Sequence, residues 1–182
     1  PDCISIIEEK VKPKRESKRG RNSIANRRAD KWWQYGAAAP TLYKTIAGMK
    51  RVMFHPFTSK YLAFGFVDAN MIFAAPHIVF AKDGYEFFAL LQSNIHEAWV
   101  RHFTSYSLSL ARYTPSDCFE TFPMPDSIEN LSRIGREYYS FRKSIMETEN
   151  EGLTSTYNRF NDPNENDALV HKLRSLHVKI DE

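Results

Sequence analysis

Two neighbouring stretches decide the fold: Tyr61-Leu-Ala-Phe-Gly-Phe-Val67 and Asp83-Gly-Tyr-Glu-Phe-Phe-Ala-Leu-Leu-Gln-Ser-Asn-Ile-His-Glu-Ala-Trp99. In the first, Leu62, Phe64 and Phe66 fall on alternate positions, the period of a strand with one buried face. In the second, Phe87, Leu91, Ile95 and Trp99 recur every four residues, with Leu90 and Ala98 alongside. Glu86, Gln92 and Glu97 fall opposite, so the stretch predicts an amphipathic helix capped by Asp83-Gly84. A change of period from two to 3.6 over so short a distance implies a mixed α+β domain. Working outward, Arg51-Val-Met-Phe-His55, Met71-Ile-Phe-Ala74 and His77-Ile-Val-Phe-Ala81 are further short β-rich runs. Turn signals at Pro56, Asp68-Ala-Asn70 and Pro76 separate them, and together they predict a short antiparallel β-meander.

Beyond the central helix, residues 104–126 read as a long irregular strap. Its three prolines and two phenylalanines, Phe119 and Phe122, would pack it down on the body with Cys118 as a small buried residue. Ser127 is placed to cap a helix striped by Ile128, Leu131, Ile134, Tyr138, Phe141 and Ile145. Residues 150–164, rich in Asn, Thr, Gly and Pro, read as a loop. A last helix over 165–180 carries Leu169, Leu173, Leu176 and Ile180, a seam for a partner helix. The two helices suit a C-terminal helical hairpin projecting from the mixed domain. Towards the N-terminus, residues 1–12 could end a helix or strand near Pro13, and 23–35 fit a helix ended by Gly36. Trp33 and Trp99 are expected in the core, Ala37–Pro40 as a linker or turn, and Thr41–Gly48 as a short helix.

The chain has 182 residues, 42% hydrophobic and 14% aromatic, enough for a real core and incompatible with wholesale disorder. No apolar run approaches the roughly 20 residues of a membrane span, and residues 1–40 are too charged for a secretion signal. Two cysteines make neither a disulfide framework nor a metal cluster. The expectation is a cytoplasmic protein. It starts with Pro rather than Met, which suggests a piece of a longer chain.

The formal charge of +3 is unevenly placed: residues 1–60 carry a net +9, residues 61–126 a net −4 and residues 127–182 a net −2. Such an excess repels itself unless an anion lies nearby, and nucleic-acid phosphate is the obvious one. Arg15, Lys18, Arg19, Arg21, Arg27 and Arg28 are the phosphate-binding candidates by density. Lys44, Lys50, Arg51, His55, Ser59, Lys60 and Tyr61 border the first predicted hairpin and are the base-reading candidates; Arg101, Ser105 and Arg112 are weaker ones. Catalytic patterns are missing. The seven glycines stand singly, with no phosphate cradle, and Asn161-Asp-Pro-Asn164 lacks the second proline and the aromatic of an adenine-methyltransferase tetrapeptide. The six histidines show no metal spacing. The sequence therefore reads as one that binds, with no catalytic residue and no metal site of its own.

Trp32-Trp33-Gln-Tyr35, Pro40-Thr-Leu-Tyr-Lys-Thr-Ile-Ala-Gly48, Leu91-Gln-Ser-Asn-Ile-His-Glu-Ala-Trp99, Arg112-Tyr-Thr-Pro-Ser-Asp-Cys-Phe-Glu-Thr-Phe-Pro-Met-Pro125 and Gly152-Leu-Thr-Ser-Thr-Tyr-Asn-Arg-Phe160 resemble one family. It is the C-terminal target-recognition (specificity) region of bacterial type II restriction–modification enzymes that fuse nuclease, adenine-N6 DNA methyltransferase and recognition parts in one chain. The resemblance runs from about Val11 to Asp181 and is most specific over Arg112–Pro125. It implies a target-recognition domain at 37–126 followed by a C-terminal helical spacer at 127–182; the basic helical connector read at 1–36 is the departure from the family, open between a connector and a DNA clamp. The resemblance also implies double-stranded DNA as partner and an N-terminal methyltransferase domain that would hold S-adenosylmethionine, with no cofactor in this part. The alternative reading is an RNA-binding or protein-interaction module that uses the C-terminal helices.

Overall fold

The computed structural model describes residues 2–36 and 39–182, so Ala37 and Ala38 of the expected linker lie outside the described residues. The chain forms two compact units, Pro1–Thr45 and Ile46–Glu182. Among the described residues no helix is long and apolar enough to cross a membrane.

Among its described residues the N-terminal unit contains four short helices, α1 (Cys3–Lys10), α2 (Lys12–Glu16), α3 (Ser23–Asp30) and α4 (Pro40–Thr45). Asp2 caps α1 by accepting from the Ser5 amide at 2.8 Å, and Asn22 caps α3 through Ala25 in the same way. Pro13 occupies the first turn of α2, where its missing N–H costs nothing, so the chain continues as helix past it. The helix expected over 23–35 stops at Asp30. Beyond it the Arg15 guanidinium donates to the carbonyls of Lys31 and Gln34, and Arg28 Nε to that of Gly36, which holds the segment in a turn. Trp33 is 49% exposed, against the expectation of a core position; this unit buries almost nothing, and Ala29 is its one buried residue among those described.

The C-terminal unit carries two three-stranded antiparallel sheets. Strands β1 (Arg51–Pro56), β2 (Thr58–Ser59), β3 (Gly65–Asp68) and β4 (His77–Phe80) come first, with β5 (Ser105–Ser107) and β6 (Leu110–Arg112) later. The first sheet has the order β3-β1-β4, with β1 central rather than at the edge as chain order would have it; the second has the order β2-β6-β5. Phe57 joins the sheets, its amide donating to Pro76 O and its carbonyl accepting from the Tyr113 amide. Residues 104–126 pack down as expected, burying Tyr113, Cys118 and Phe122. They are not irregular, however: they form the β5–β6 hairpin followed by a π-helical turn at Pro115–Phe119.

The predicted central helix is two helices, α5 (Tyr85–Gln92) and α6 (Asn94–Phe103). Ser93 leaves helical geometry (φ −65°, ψ 154°), accepts from the His96 amide and donates to Leu90 O, so it ends one helix and caps the next. The buried face runs through Phe88, Gln92, His96 and Val100, while Ile95 is 62% exposed. Gln92 thus lies inside rather than on the outer face, because its amide holds Leu62 O at 2.7 Å and the Phe64 amide at 3.1 Å.

Helices α7 (Leu131–Thr148), α8 (Leu153–Phe160) and α9 (Ala168–Asp181) complete the unit. Helix α8 replaces the expected loop at 150–164: Tyr157 is buried and Thr156 bonds back to Gly152 O and Glu151, which holds a polar segment helical. The seam on α9 is filled within the same unit. Leu173, Leu176 and Ile180 are buried and α9 packs on α7, so the hairpin belongs to the core instead of projecting, and the seam is not free for a partner. Asp181 accepts from the Asn94 backbone and side chain, and His177 Nε2 hydrogen-bonds Gln92 O, which ties α9 to the α5–α6 junction. Helices α5 and α7 cross at Gly135, where an added Cβ would sit 2.2 Å from Tyr85 O.

Two predictions follow from this core. Gly135→Ala must push two helices apart and should lower unfolding free energy by about 1–3 kcal/mol in urea denaturation, whereas Gly152→Ala, with open space around it, should change it by less than about 0.5 kcal/mol. The second concerns His55 and His96, both buried. Burial pulls their pKa values down to about 4 and about 3, and His96 Nδ1 meets no acceptor among the described residues for a second proton. The unfolded chain therefore takes up these protons first, near pH 6.5. Stability should be full above that value and fall by about 1.4 kcal/mol per pH unit for each ring as acidity rises towards the folded values. Denaturation at pH 6.5 and pH 5 measures this before the carboxylates titrate, and His96→Gln should flatten the slope.

Candidate nucleic-acid interface

In the N-terminal unit, α1, α2 and α3 enclose a cleft of about 800 Å³. Lys10, Lys14, Arg15, Lys18, Arg21 and Arg28 line it together with Ile24 and Tyr35, and no carboxylate does. Arg15 spends Nη1 on Lys31 O and Gln34 O, and Arg28 spends Nε on Gly36 O. A guanidinium carries five N–H donors, so each keeps several for an anion while its position is fixed. A second hollow of about 330 Å³ brings Arg27 and Lys31 alongside Arg15 and Arg28. Arg19 stands outside both, in a half-exposed ion pair with Asp30 at 2.5 Å that contributes little to stability. Four of the six phosphate candidates therefore share one cleft. Lys10 and Lys14, which belong to the same dense basic run but are not among those six candidates, line it with them.

The base-reading candidates are dispersed. Lys44 is exposed on α4 in the N-terminal unit. Lys50 is exposed at the start of β1, in a hollow of about 520 Å³ with Arg51. Arg51 is committed inward: Nε and Nη2 donate to Asp83 O, Nη1 donates to Tyr85 Oη, and its guanidinium lies 3.9 Å from the Phe66 ring centroid. His55 is 1% exposed, held by Ala63 O and packed between Phe64 and Tyr113. Ser59, Lys60 and Tyr61 do come together. They line a hollow of about 450 Å³ with Leu110 and Tyr157, and both Lys60 Nζ and Tyr61 Oη donate to Asn158 Oδ1.

The β5–β6 hairpin supplies an edge that sequence reasoning took for irregular strap. Leu108 at its tip is 97% exposed in a left-handed conformation (φ +57°), and Tyr106 is 51% exposed. The serines at 105, 107 and 109, alternating with Tyr106 and Leu108, carried the strand signal. Among the described residues no group of acidic, histidine and cysteine side chains could hold a metal ion.

A cationic helical unit and a mixed α+β unit with an exposed hairpin suit a recognition module. The chain belongs to the MmeI target recognition domain family, whose description matches residues 3–126. The fold is shared with a solved structure of the type IIL restriction–modification enzyme MmeI in complex with DNA, at a TM-score of 0.73 and 21% identity. That match covers 99% of this chain and 23% of the other, so this chain spans about a quarter of that enzyme's length. Comparison with curated proteins gives no match.

Proposed function

We propose that this chain recognises a specific sequence in double-stranded DNA on behalf of a larger cytoplasmic restriction–modification enzyme. The adenine-N6 methyltransferase and its S-adenosylmethionine would belong to a separate N-terminal part of that polypeptide. The observation that carries this reading is the cleft lined by six lysines and arginines with no carboxylate, in a member of a target-recognition family. Cations gathered in one cleft neutralise phosphates and set register without discriminating sequence. Discrimination needs side chains that reach base edges, and Lys50, Lys60, Tyr61 and the Tyr106–Leu108 tip are the exposed or partly exposed groups on the C-terminal unit that suit it. An enzyme that extrudes a single adenine for methylation depends on being held at one register, and this division of labour provides that.

A salt titration tests the reading. Affinity for duplex DNA should fall steeply with salt, and Lys14→Gln, Lys18→Gln and Arg21→Gln together should flatten the log–log slope by roughly one per residue on every sequence tested. Tyr106→Ser with Leu108→Ser should alter preference among sequences and leave that slope unchanged. Salt-independent binding, or none at low ionic strength, overturns the proposal.

A further inference from the structure

The hollow beside β2 has the chemistry of a ligand site. Its roughly 450 Å³ is enclosed by Phe54 and Pro56 of β1, Leu110 of β6, the Tyr61 turn and the first turns of α8. That size falls within the roughly 300–1,000 Å³ of small-molecule sites, and its walls are mainly apolar with a few polar groups. Two tyrosine rings face it, Tyr61 and Tyr157, 6.1 Å apart and tilted by 31°. Tyr157 is immobilised from behind, because its hydroxyl is bonded by buried Arg142 at 2.9 Å and by Tyr138 at 3.0 Å. Asn158 is not in the lining but adjoins it, next to Tyr157 in sequence and bonded to Lys60 and Tyr61; a lysine ammonium can only donate, so these two fix Oδ1 towards themselves and leave the Nδ2 hydrogens without a partner among the described residues. The Thr58 and Thr154 hydroxyls in its lining likewise make no side-chain hydrogen bond among the described residues.

We propose that this hollow takes an unpaired nucleobase, stacked against Tyr61 and hydrogen-bonded at its edge by Asn158 Nδ2, Lys60 and the two threonine hydroxyls. Aromatic walls favour a flat π-system, and donors at the rim favour one rich in ring nitrogens and carbonyls. That the base comes from bound DNA rests on the recognition reading above. Taking it would mean removing one nucleotide from the stack beside the reading edge, at a cost that the pocket contacts offset.

The test is an NMR titration of the full chain with the four uncharged deoxynucleosides and, separately, with inorganic phosphate. Saturable shifts at Tyr61, Leu110, Tyr157 and Asn158 with nucleosides, at dissociation constants on the order of a millimolar, are expected. Phosphate should instead perturb the N-terminal cleft. Tyr61→Ala should weaken nucleoside binding about tenfold and Tyr61→Phe should retain the stacking share of it, while Lys60→Ala and Asn158→Ala, at exposed positions, change base preference without changing the fold. No saturable shift in the hollow, undiminished binding by Tyr61→Ala, or a response there to phosphate alone overturns the proposal. A protein that ignores nucleosides yet binds duplex DNA with a steep salt slope loses only this site. One that binds nucleosides but not duplex loses the recognition reading instead.

Discussion

The C-terminal unit is organised around a positive charge sealed inside it without a carboxylate. Arg142, 2% exposed, donates to Phe64 O at 2.6 Å, to Tyr157 Oη at 2.9 Å and to Gln92 Oε1 at 3.3 Å. The rings of Phe88, Tyr138, Tyr139 and Tyr157 lie within 5.2–5.9 Å of it. A bare guanidinium in such a place would cost several kcal/mol, so the surrounding oxygens and π-faces are what make the position tolerable. The same bonds have a constructive role. Gln92 of α5 grips the chain on either side of Ala63, Arg142 of α7 grips Phe64, and Tyr157 of α8 closes the set, so three helices and the approach to β3 meet at one point. The terminal helices are therefore a structural requirement of the β-rich part.

This arrangement also explains what could and could not be read from the residues. The strand at Arg51–Pro56 and the stripe through Ile134, Tyr138 and Ile145 are legible because apolar residues are concentrated there, whereas the run read over Tyr61–Val67 is strand only from Gly65 on, and its buried Leu62 and Phe64 precede that strand. Arg142 and Gln92 are illegible for the opposite reason: they are polar residues buried in a network whose partners come from distant segments, and periodicity assigns them to solvent. Ser93 interrupts a helix that the spacing of Phe87, Leu91, Ile95 and Trp99 carries straight through, since a serine cap inside a continuous pattern leaves no trace in hydropathy. Helix α8 hides in polar composition, its face resting on Leu153, Tyr157 and Phe160.

The candidate interface divides the same way. Charge density is a local property, so the cationic cleft was visible in Lys10 to Arg28, and the folded chain brings four of the six named cations together. Edge reading depends on which side chains face outward, and that is decided by tertiary packing. His55 and Arg51, polar and adjacent to a turn, are turned into the body by Ala63, Asp83 and Tyr85, while the apolar Leu108 is held out at the hairpin tip.

The near-absence of a core in the N-terminal unit carries its own thermodynamic consequence. With Ala29 alone buried among its described residues, and with Ile4, Ile6 and Ile24 each at least half exposed, hydrophobic burial contributes little to holding its helices together, while its cations push them apart. On the recognition reading proposed above, its folding equilibrium would be linked by mass action to the bound polyanion, which would supply part of the free energy of ordering. On that same reading the coupling would lower affinity per contact and ease dissociation, which suits a module that samples a long polymer before it settles at one place on it.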